Sequence, residues 1–136
     1  MRLLVNIDVD DLQKGVDFYC RGLGLRVGRR FGEFAAELLG LDAPLYLLVK
    51  PAGTSASPMS SQLRTYGRHW TPVHLDVVVD DIDAALQRVL AAGAVLERDT
   101  TTQIWGKLAV LADPFGHGIC LIEFLGRGYD EIADAQ

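Results

Sequence analysis

Length, composition and charge exclude several classes of protein. The chain has 136 residues, of which 49% are hydrophobic and 23% charged, and a formal net charge of −5. These values are typical of a globular protein and argue against a disordered chain or a nucleic-acid partner. No stretch approaches the roughly 20 apolar residues that cross a bilayer, and the N-terminal apolar stretch is too short for a secretory signal. We therefore expect a cytoplasmic protein with no membrane partner.

The chain contains two copies of one pattern. The segment LLVNIDVDDLQKGVDFY (residues 3–19) returns as PVHLDVVVDDIDAALQRV (residues 72–89). Apolar and polar residues alternate over 3–9 and 73–79, which predicts two half-buried strands. An Asp-Asp pair follows each time and predicts a helix start, because a carboxylate accepts hydrogen bonds from the free N–H groups there. Apolar residues then recur at helical spacing, and glycines predict the helix ends.

Three short strands are predicted after each helix. They cover 25–31, 33–39 and 44–50 in the first half, and 95–99, 107–112 and 118–124 in the second. The last two strands form a hairpin on the turn Asp113-Pro114-Phe115-Gly116, because proline presets φ and glycine tolerates the tight return. The predicted fold class is therefore α+β, with two βαβββ modules.

Composition divides the chain into four segments that we expect to form a single domain. They are a first module (1–50), a linker (51–71), a second module (72–125) and a tail (126–136). The linker is rich in Pro, Gly, Ser and Thr, so it is expected to cross the surface between the modules. The tail is polar and is expected to be a short helix or frayed.

The order of these motifs is more specific than any one of them. VDDLQKGVDFYCRGLGL (9–25) is followed by Trp105-Gly106, which leads into LADPFGHGICLIEF (111–124). In this order they resemble the vicinal oxygen chelate superfamily of glyoxalases, bleomycin-resistance proteins and extradiol dioxygenases. The resemblance implies curved mixed sheets that enclose a cleft, often in a homodimer. It places the even-numbered residues of both first strands in the cleft and their odd-numbered apolar residues under the helices.

Enzymes of this superfamily usually hold a divalent metal between the first and last strands of their modules. The resemblance assigns these ligand positions to Leu4, His74, Tyr46 and Cys120. Leu4 has no donor atom, and Tyr46 is a poor ligand because a phenol titrates near about pH 10. His74 with Cys120 would supply at most two protein ligands. We therefore expect no metal and no other cofactor, with a divalent metal as the alternative.

The candidate ligand-binding residues of the cleft are Asn6, Asp8, Tyr46, His74, Asp76, Trp105 and Cys120. His74 is also the candidate catalytic residue, since an imidazole changes its charge near neutral pH and can transfer protons. Other roles of His74 stay open: hydrogen bonding alone, an unusual zinc or copper site, or activation of the Cys120 thiol as a nucleophile. Trp105, and Trp70 in the linker, either stack on a flat ligand or pack in the core or a dimer contact.

Plainer roles are expected for other residues of these types. His69 in the linker and His117 after the hairpin turn are expected to be solvated. Cys20 and Cys120 are expected to be free, mostly buried thiols, because their spacing is of neither a metal nor a redox type. Glu123 lies three residues beyond Cys120, so it is expected on the opposite face of the strand from the cleft.

These observations favour a small-molecule-binding protein of the bleomycin-resistance type. The expected ligand is small, with cationic aromatic compounds best suited, because Asp8 and Asp76 would attract positive charge and Trp105 would stack. The rival hypothesis is a lyase, isomerase or dioxygenase in which a divalent metal polarises the substrate. A third is a degenerate module with only a structural or regulatory role.

Overall fold

The computed structural model describes residues 1–69 and 71–134, which form two four-stranded mixed sheets and two α-helices. The first half of the chain forms β1 (Val5–Val9), α1 (Leu12–Leu23), β2 (Arg26–Phe31), β3 (Ala35–Leu39) and β4 (Leu45–Val49). The second half forms β5 (Leu75–Val78), α2 (Ile82–Ala91), β6 (Val95–Gln103), β7 (Gly106–Ala112), β8 (Gly118–Phe124) and a 3₁₀ helix (Gly128–Glu131). The predicted α+β class and the order βαβββ in each half are confirmed.

In both sheets the first strand of a module pairs in parallel with the last strand of the same module. The strand orders are β1-β4-β3-β2 and β5-β8-β7-β6, so each first strand lies at a sheet edge. The parallel ladders place Asn6 beside Tyr46 and Asp76 beside Cys120. Side chains paired in this way point to the same face of the sheet. The first and last strands of each module therefore bring their side chains together.

Aspartates start both helices as the sequence predicted. Asp11 accepts a hydrogen bond of 2.9 Å from the backbone N–H of Lys14, and Asp81 accepts one of 2.9 Å from that of Ala84. The first helix ends at Gly24, whose φ of 71° is a conformation that favours glycine. No helix in the described ranges is long and apolar enough to cross a membrane.

Several strand boundaries differ from the prediction. β1 and β5 begin two residues later than expected, because their ladders start at Val5 and Leu75. Leu3 and Val73, ahead of these ladders, are each 70% exposed. β6 continues to Gln103 instead of ending at residue 99, since consecutive threonines favour extended backbone and pair with β7.

Each helix packs against one face of its own sheet. The first core contains Val9 and Leu47 under α1, and the second contains Leu111 and Leu121 under α2. Phe115, from the hairpin turn of the second module, is fully buried in the first core and so couples the two modules. Because side chains alternate along a strand, the even-numbered residues of β1 and β5 lie on the sheet faces that are remote from the helices.

Candidate functional site

Three polar side chains come together on the face of the second sheet that is remote from α2. His74 directly precedes β5, Asp76 lies within it, and Cys120 pairs with Asp76 across the β5–β8 ladder. Nε2 of His74 lies 3.2 Å from Oδ1 of Asp76. One donor atom from each of the three residues lies within 4.8 Å of the other two. The structure thus groups three of the predicted site residues.

The Cys120 thiol is poorly suited to act as a nucleophile. Its side chain is buried, and burial together with the nearby Asp76 carboxylate raises the pKa of the Cys120 thiol to about 11. A thiol with so high a pKa stays protonated near neutral pH, whereas the thiolate is the reactive form. Cys20 is half-buried, and both cysteines are free thiols, as predicted.

Two adjoining cavities open beside this cluster. The first, of about 330 Å³, is lined by Arg68, Thr71, His74, Arg98, Leu108, Val110, Gly118, Ile119 and Cys120. The second, of about 340 Å³, lies between the first strands of the two modules and is lined in part by Asn6, Asp8, His69, His74 and His117. His74 lines both cavities, so we name the two together the central cleft.

The charges around the central cleft differ from the acidic cleft that the sequence predicted. Asp8 accepts a hydrogen bond of 2.7 Å from Nε of Arg64, and Asp76 lies against His74. The Asp8 carboxylate is therefore paired with a guanidinium, whereas the contact of Asp76 is an ion pair only when the His74 ring is protonated. Arg98 lines the cleft and forms no ion pair with any residue of the described ranges. Arg98 is consequently a positive group of the cleft that can pair with a ligand.

Trp105 does not line the two cavities of the central cleft, so the structure does not bring this predicted ligand-binding residue together with His74. Its ring packs against Phe124 and Tyr129, with ring centroids 6.5 and 5.1 Å apart. Trp105 follows the end of β6, whereas Cys120 pairs with Val110 further along β7. Trp105 and Val110 are five residues apart along the chain, which is roughly 17 Å at the usual rise per residue. The other tryptophan, at position 70, lies outside the described residues.

Tyr46 belongs to a hydrogen-bonded group on the corresponding face of the first sheet. Its hydroxyl donates to Glu37 over 2.6 Å and accepts from Nη2 of Arg29 over 2.7 Å. Glu37 is only 6% exposed and also accepts from the backbone N–H and Nε of Arg29. The hydroxyl of Tyr46 is thus engaged by its neighbours. The buried Glu37 was missed by the sequence analysis, although a glutamate within the apolar run AAELL is a signal of such a role.

Replacing Glu37 by glutamine is expected to remove an acid-sensitive part of the stability. Hydrogen bonds from Arg29 and Tyr46 lower the pKa of Glu37 from 4.5 to about 2. A carboxyl group with a lowered pKa in the folded state stabilises the protein fully above its unfolded pKa. That stabilisation is lost as the pH falls from about 4.5 towards 2. In urea unfolding, wild type should therefore lose its advantage over Glu37→Gln across this pH range. A difference in the free energy of unfolding between wild type and Glu37→Gln that stays constant over this pH range would contradict the lowered pKa of Glu37.

His117 is not solvated as predicted but is half-buried and held by a buried carboxylate. Nδ1 of His117 lies 2.8 Å from Oδ2 of Asp113, which is 2% exposed. The same carboxylate accepts hydrogen bonds from the hydroxyl of Tyr19 and from the backbone N–H groups of Phe115 and His117. Burial alone would raise the pKa of Asp113, but the hydrogen bonds from His117 and Tyr19 hold it below its usual value. His69 packs edge-on against the His117 ring, with centroids 5.2 Å apart.

Glu123 lies on the helix side of the second sheet, as the alternation along β8 predicted. It accepts a hydrogen bond of 2.8 Å from the backbone N–H of Ile82, at the start of α2. It also accepts one of 3.0 Å from Nζ of Lys107. These contacts make Glu123 a helix-capping group that does not contribute to the central cleft.

The four positions that the superfamily uses for metal ligands do not form one site in this chain. Leu4 lacks a donor atom and is 48% exposed ahead of β1. Tyr46 is engaged with the Glu37 group on the first sheet. Only His74 and Cys120 remain of the four. Asp76 lies beside both and adds a third donor, which the sequence analysis did not count.

Comparison with known proteins identifies the family. The chain belongs to the glyoxalase-like domain family, whose model matches residues 4–122. Uncharacterised proteins of Mycobacterium bovis and Mycobacterium tuberculosis are each 32% identical over 114 residues. The matched segment is 80% of this chain, but 74% of the M. bovis protein and 66% of the M. tuberculosis protein. The chain thus spans two thirds to three quarters of these relatives.

Solved structures of low sequence identity share the fold. A glyoxalase/bleomycin resistance protein/dioxygenase family enzyme from Burkholderia phytofirmans has a TM-score of 0.69 and 19% identity, covering 90% of this chain and 97% of its own. A fosfomycin resistance protein from Listeria monocytogenes has a TM-score of 0.68 and 14% identity, and the match covers 92% of this chain and 93% of that protein. The resemblance to the vicinal oxygen chelate superfamily is therefore confirmed at the level of fold.

Proposed function

We propose that the chain binds a small organic anion, a carboxylate or a phosphonate, in the central cleft, without the usual four-position metal site of the superfamily. One observation carries the proposal: Arg98 lines the cleft without an ion-pair partner in the described part of the chain. A guanidinium presents several N–H groups that match the two oxygens of such anions. Leu108 and Val110 line the same cavity and suit the apolar part of the ligand.

This proposal changes the ligand charge expected from the sequence. The preference for cationic aromatic compounds depended on free carboxylates at Asp8 and Asp76 and on stacking by Trp105. Asp8 is paired with Arg64, Asp76 lies against the His74 ring, and Trp105 packs elsewhere. The site as it stands therefore supports an anion better than a cation. A homodimer, a cytoplasmic location and proton transfer by His74 stay predictions.

Arg98→Ala is expected to weaken binding of phenylphosphonate and benzoate by about tenfold or more. A hydrogen bond to a charged group contributes about 1.5–3 kcal/mol, and about 1.4 kcal/mol is a tenfold change in affinity. Titration calorimetry at low salt measures this effect directly. The control is Arg88→Ala, which removes the same charge from the exposed side of α2.

Arg88→Ala should bind both anions like the wild type. Equal weakening by the two variants would show that net charge alone attracts the anions and would contradict a site at Arg98. Tighter binding of phenyltrimethylammonium than of phenylphosphonate would contradict the proposed ligand charge.

A further inference from the structure

The group formed by His74, Asp76 and Cys120 offers the chemistry of a metal site built within one module. It supplies an imidazole nitrogen, a carboxylate oxygen and a sulfur, with these atoms within 4.8 Å of one another. All three residues lie on or directly before β5 and β8, so the parallel ladder alone brings them together. The first module contributes none of these donors.

The distances between the three donor atoms are close to those between the ligand atoms of a bound Zn²⁺ ion. Zn²⁺ lies about 2.0–2.3 Å from nitrogen, oxygen or sulfur ligands, so tetrahedral ligands are roughly 3.3–3.8 Å apart. The donors of this group need to approach one another by roughly 1 Å to reach that spacing. The side chains of His74 and Asp76 are 56% and 39% exposed, so rotation towards Cys120 meets little packing.

We propose that His74, Asp76 and Cys120 bind one Zn²⁺ ion, with the fourth coordination position open to the central cleft. The Cys120 thiol transfers its proton to solvent as the sulfur–zinc bond forms, and no oxidation or reduction takes place. The thiolate and the Asp76 carboxylate then balance the charge of the ion. This balance allows the ion to lie in the same cavity as the Arg98 guanidinium.

This site differs from the four-position arrangement of the superfamily and does not depend on the proposed anion binding. Asp76 takes part, whereas Leu4 and Tyr46 do not. The sulfur donor determines selectivity, because thiolates favour Zn²⁺, Co²⁺ and Cd²⁺ over the oxygen-preferring ions Mg²⁺ and Ca²⁺. Three protein ligands with one open position are also the pattern of zinc sites that accept a further ligand.

Titration of the untagged, metal-free protein with Co²⁺ tests the proposal without any organic ligand. The expected result is one Co²⁺ per chain, a thiolate-to-cobalt charge-transfer band in the near ultraviolet, and displacement by Zn²⁺ but not by Mg²⁺. Cys120→Ser should abolish this band. Cys20→Ser is the matched control, since Cys20 lies on α1 outside the group, and it should retain the band.

Two further variants separate metal binding from folding. His74→Ala and Asp76→Asn change exposed side chains, so circular dichroism should show an unchanged fold while Co²⁺ affinity falls about tenfold or more. A band that survives Cys120→Ser, or Co²⁺ that binds without any sulfur band, would overturn the site. Arg98→Ala should retain the band, so failure of anion binding and failure of metal binding are distinguishable.

Discussion

Asp113→Ala is expected to lower the free energy of unfolding by about 3–5 kcal/mol, because it leaves several buried donors without an acceptor. The Asp113 carboxylate accepts hydrogen bonds from the Tyr19 hydroxyl, the His117 ring and the backbone N–H groups of Phe115 and His117. Tyr19 belongs to α1 and Asp113 to the second module. The loss therefore weakens the hairpin turn and the contact between modules together.

Urea unfolding at neutral pH measures this loss, with Tyr19→Phe as the control. Tyr19→Phe removes one donor with its hydrogen bond, so it should cost only about 1 kcal/mol. Because the pKa of Asp113 is lowered, its contribution is complete above the ordinary value of 3.8 and declines as the pH falls below it. A loss below about 1 kcal/mol in Asp113→Ala would contradict the central role of this carboxylate.

Gly116→Ala is expected to lower the free energy of unfolding by about 2–5 kcal/mol, which is the second large effect. The φ of Gly116 is 83°, a conformation that costs other residues about 1–2 kcal/mol. A Cβ at this position would also overlap the backbone carbonyl of Gly67 and lie 2.8 Å from the backbone nitrogen of Arg68. Backbone cannot rotate away as a side chain can, so overpacking adds about 1–3 kcal/mol.

Gly53→Ala separates these two costs. Gly53 has a similar φ of 77°, but a Cβ there would meet no atom of the described residues within 4 Å. This variant should lose only the conformational part, about 1–2 kcal/mol. Thermal or urea unfolding of both variants gives the comparison. Equal losses would show that the linker does not pack against the hairpin turn as described.

The fold could be predicted from the sequence because its signals are local and occur twice. Alternation in two strands, the capping aspartates Asp11 and Asp81 and the hairpin turn each depend on a few neighbouring residues. The duplication then fixed the module order. The errors concern strand ends, which depend on the pairing strand and not on the local pattern. Leu3 and Val73 extend the apolar alternation ahead of β1 and β5, but they lie outside the paired ladders.

The site was less predictable because its contacts join residues distant in sequence. The grouping of His74, Asp76 and Cys120 follows from strand alternation and family positions. By contrast, an irregularity in the β2–β3 pairing between Val27 and Arg30 brings Arg29 onto Glu37. Similar irregularities in β6 flank the position of Arg98. Such shifts have no clear local sequence signal, so the position of Arg98 in the cleft could not be foreseen.

The pairing of charges explains why residue type alone predicted a different ligand charge from the one that we propose. Asp8 looks like a free carboxylate on a strand, but Arg64 of the linker neutralises it. His117 looks like a turn residue, but Asp113 four positions earlier holds its ring. At Asp8 the chain's own side chain occupies the position that an external ligand was expected to take, and at His117 it takes the place of the expected solvent.

The most direct test of anion binding in the central cleft is a two-dimensional NMR titration with phenylphosphonate, repeated with phenyltrimethylammonium. Anion binding at Arg98 predicts saturable shifts of the amide signals of His74, Arg98 and Cys120 with the phosphonate, and little change with the cation. Shifts that concentrate near Trp105, or saturable shifts of the cleft signals with the cation alone, would contradict it.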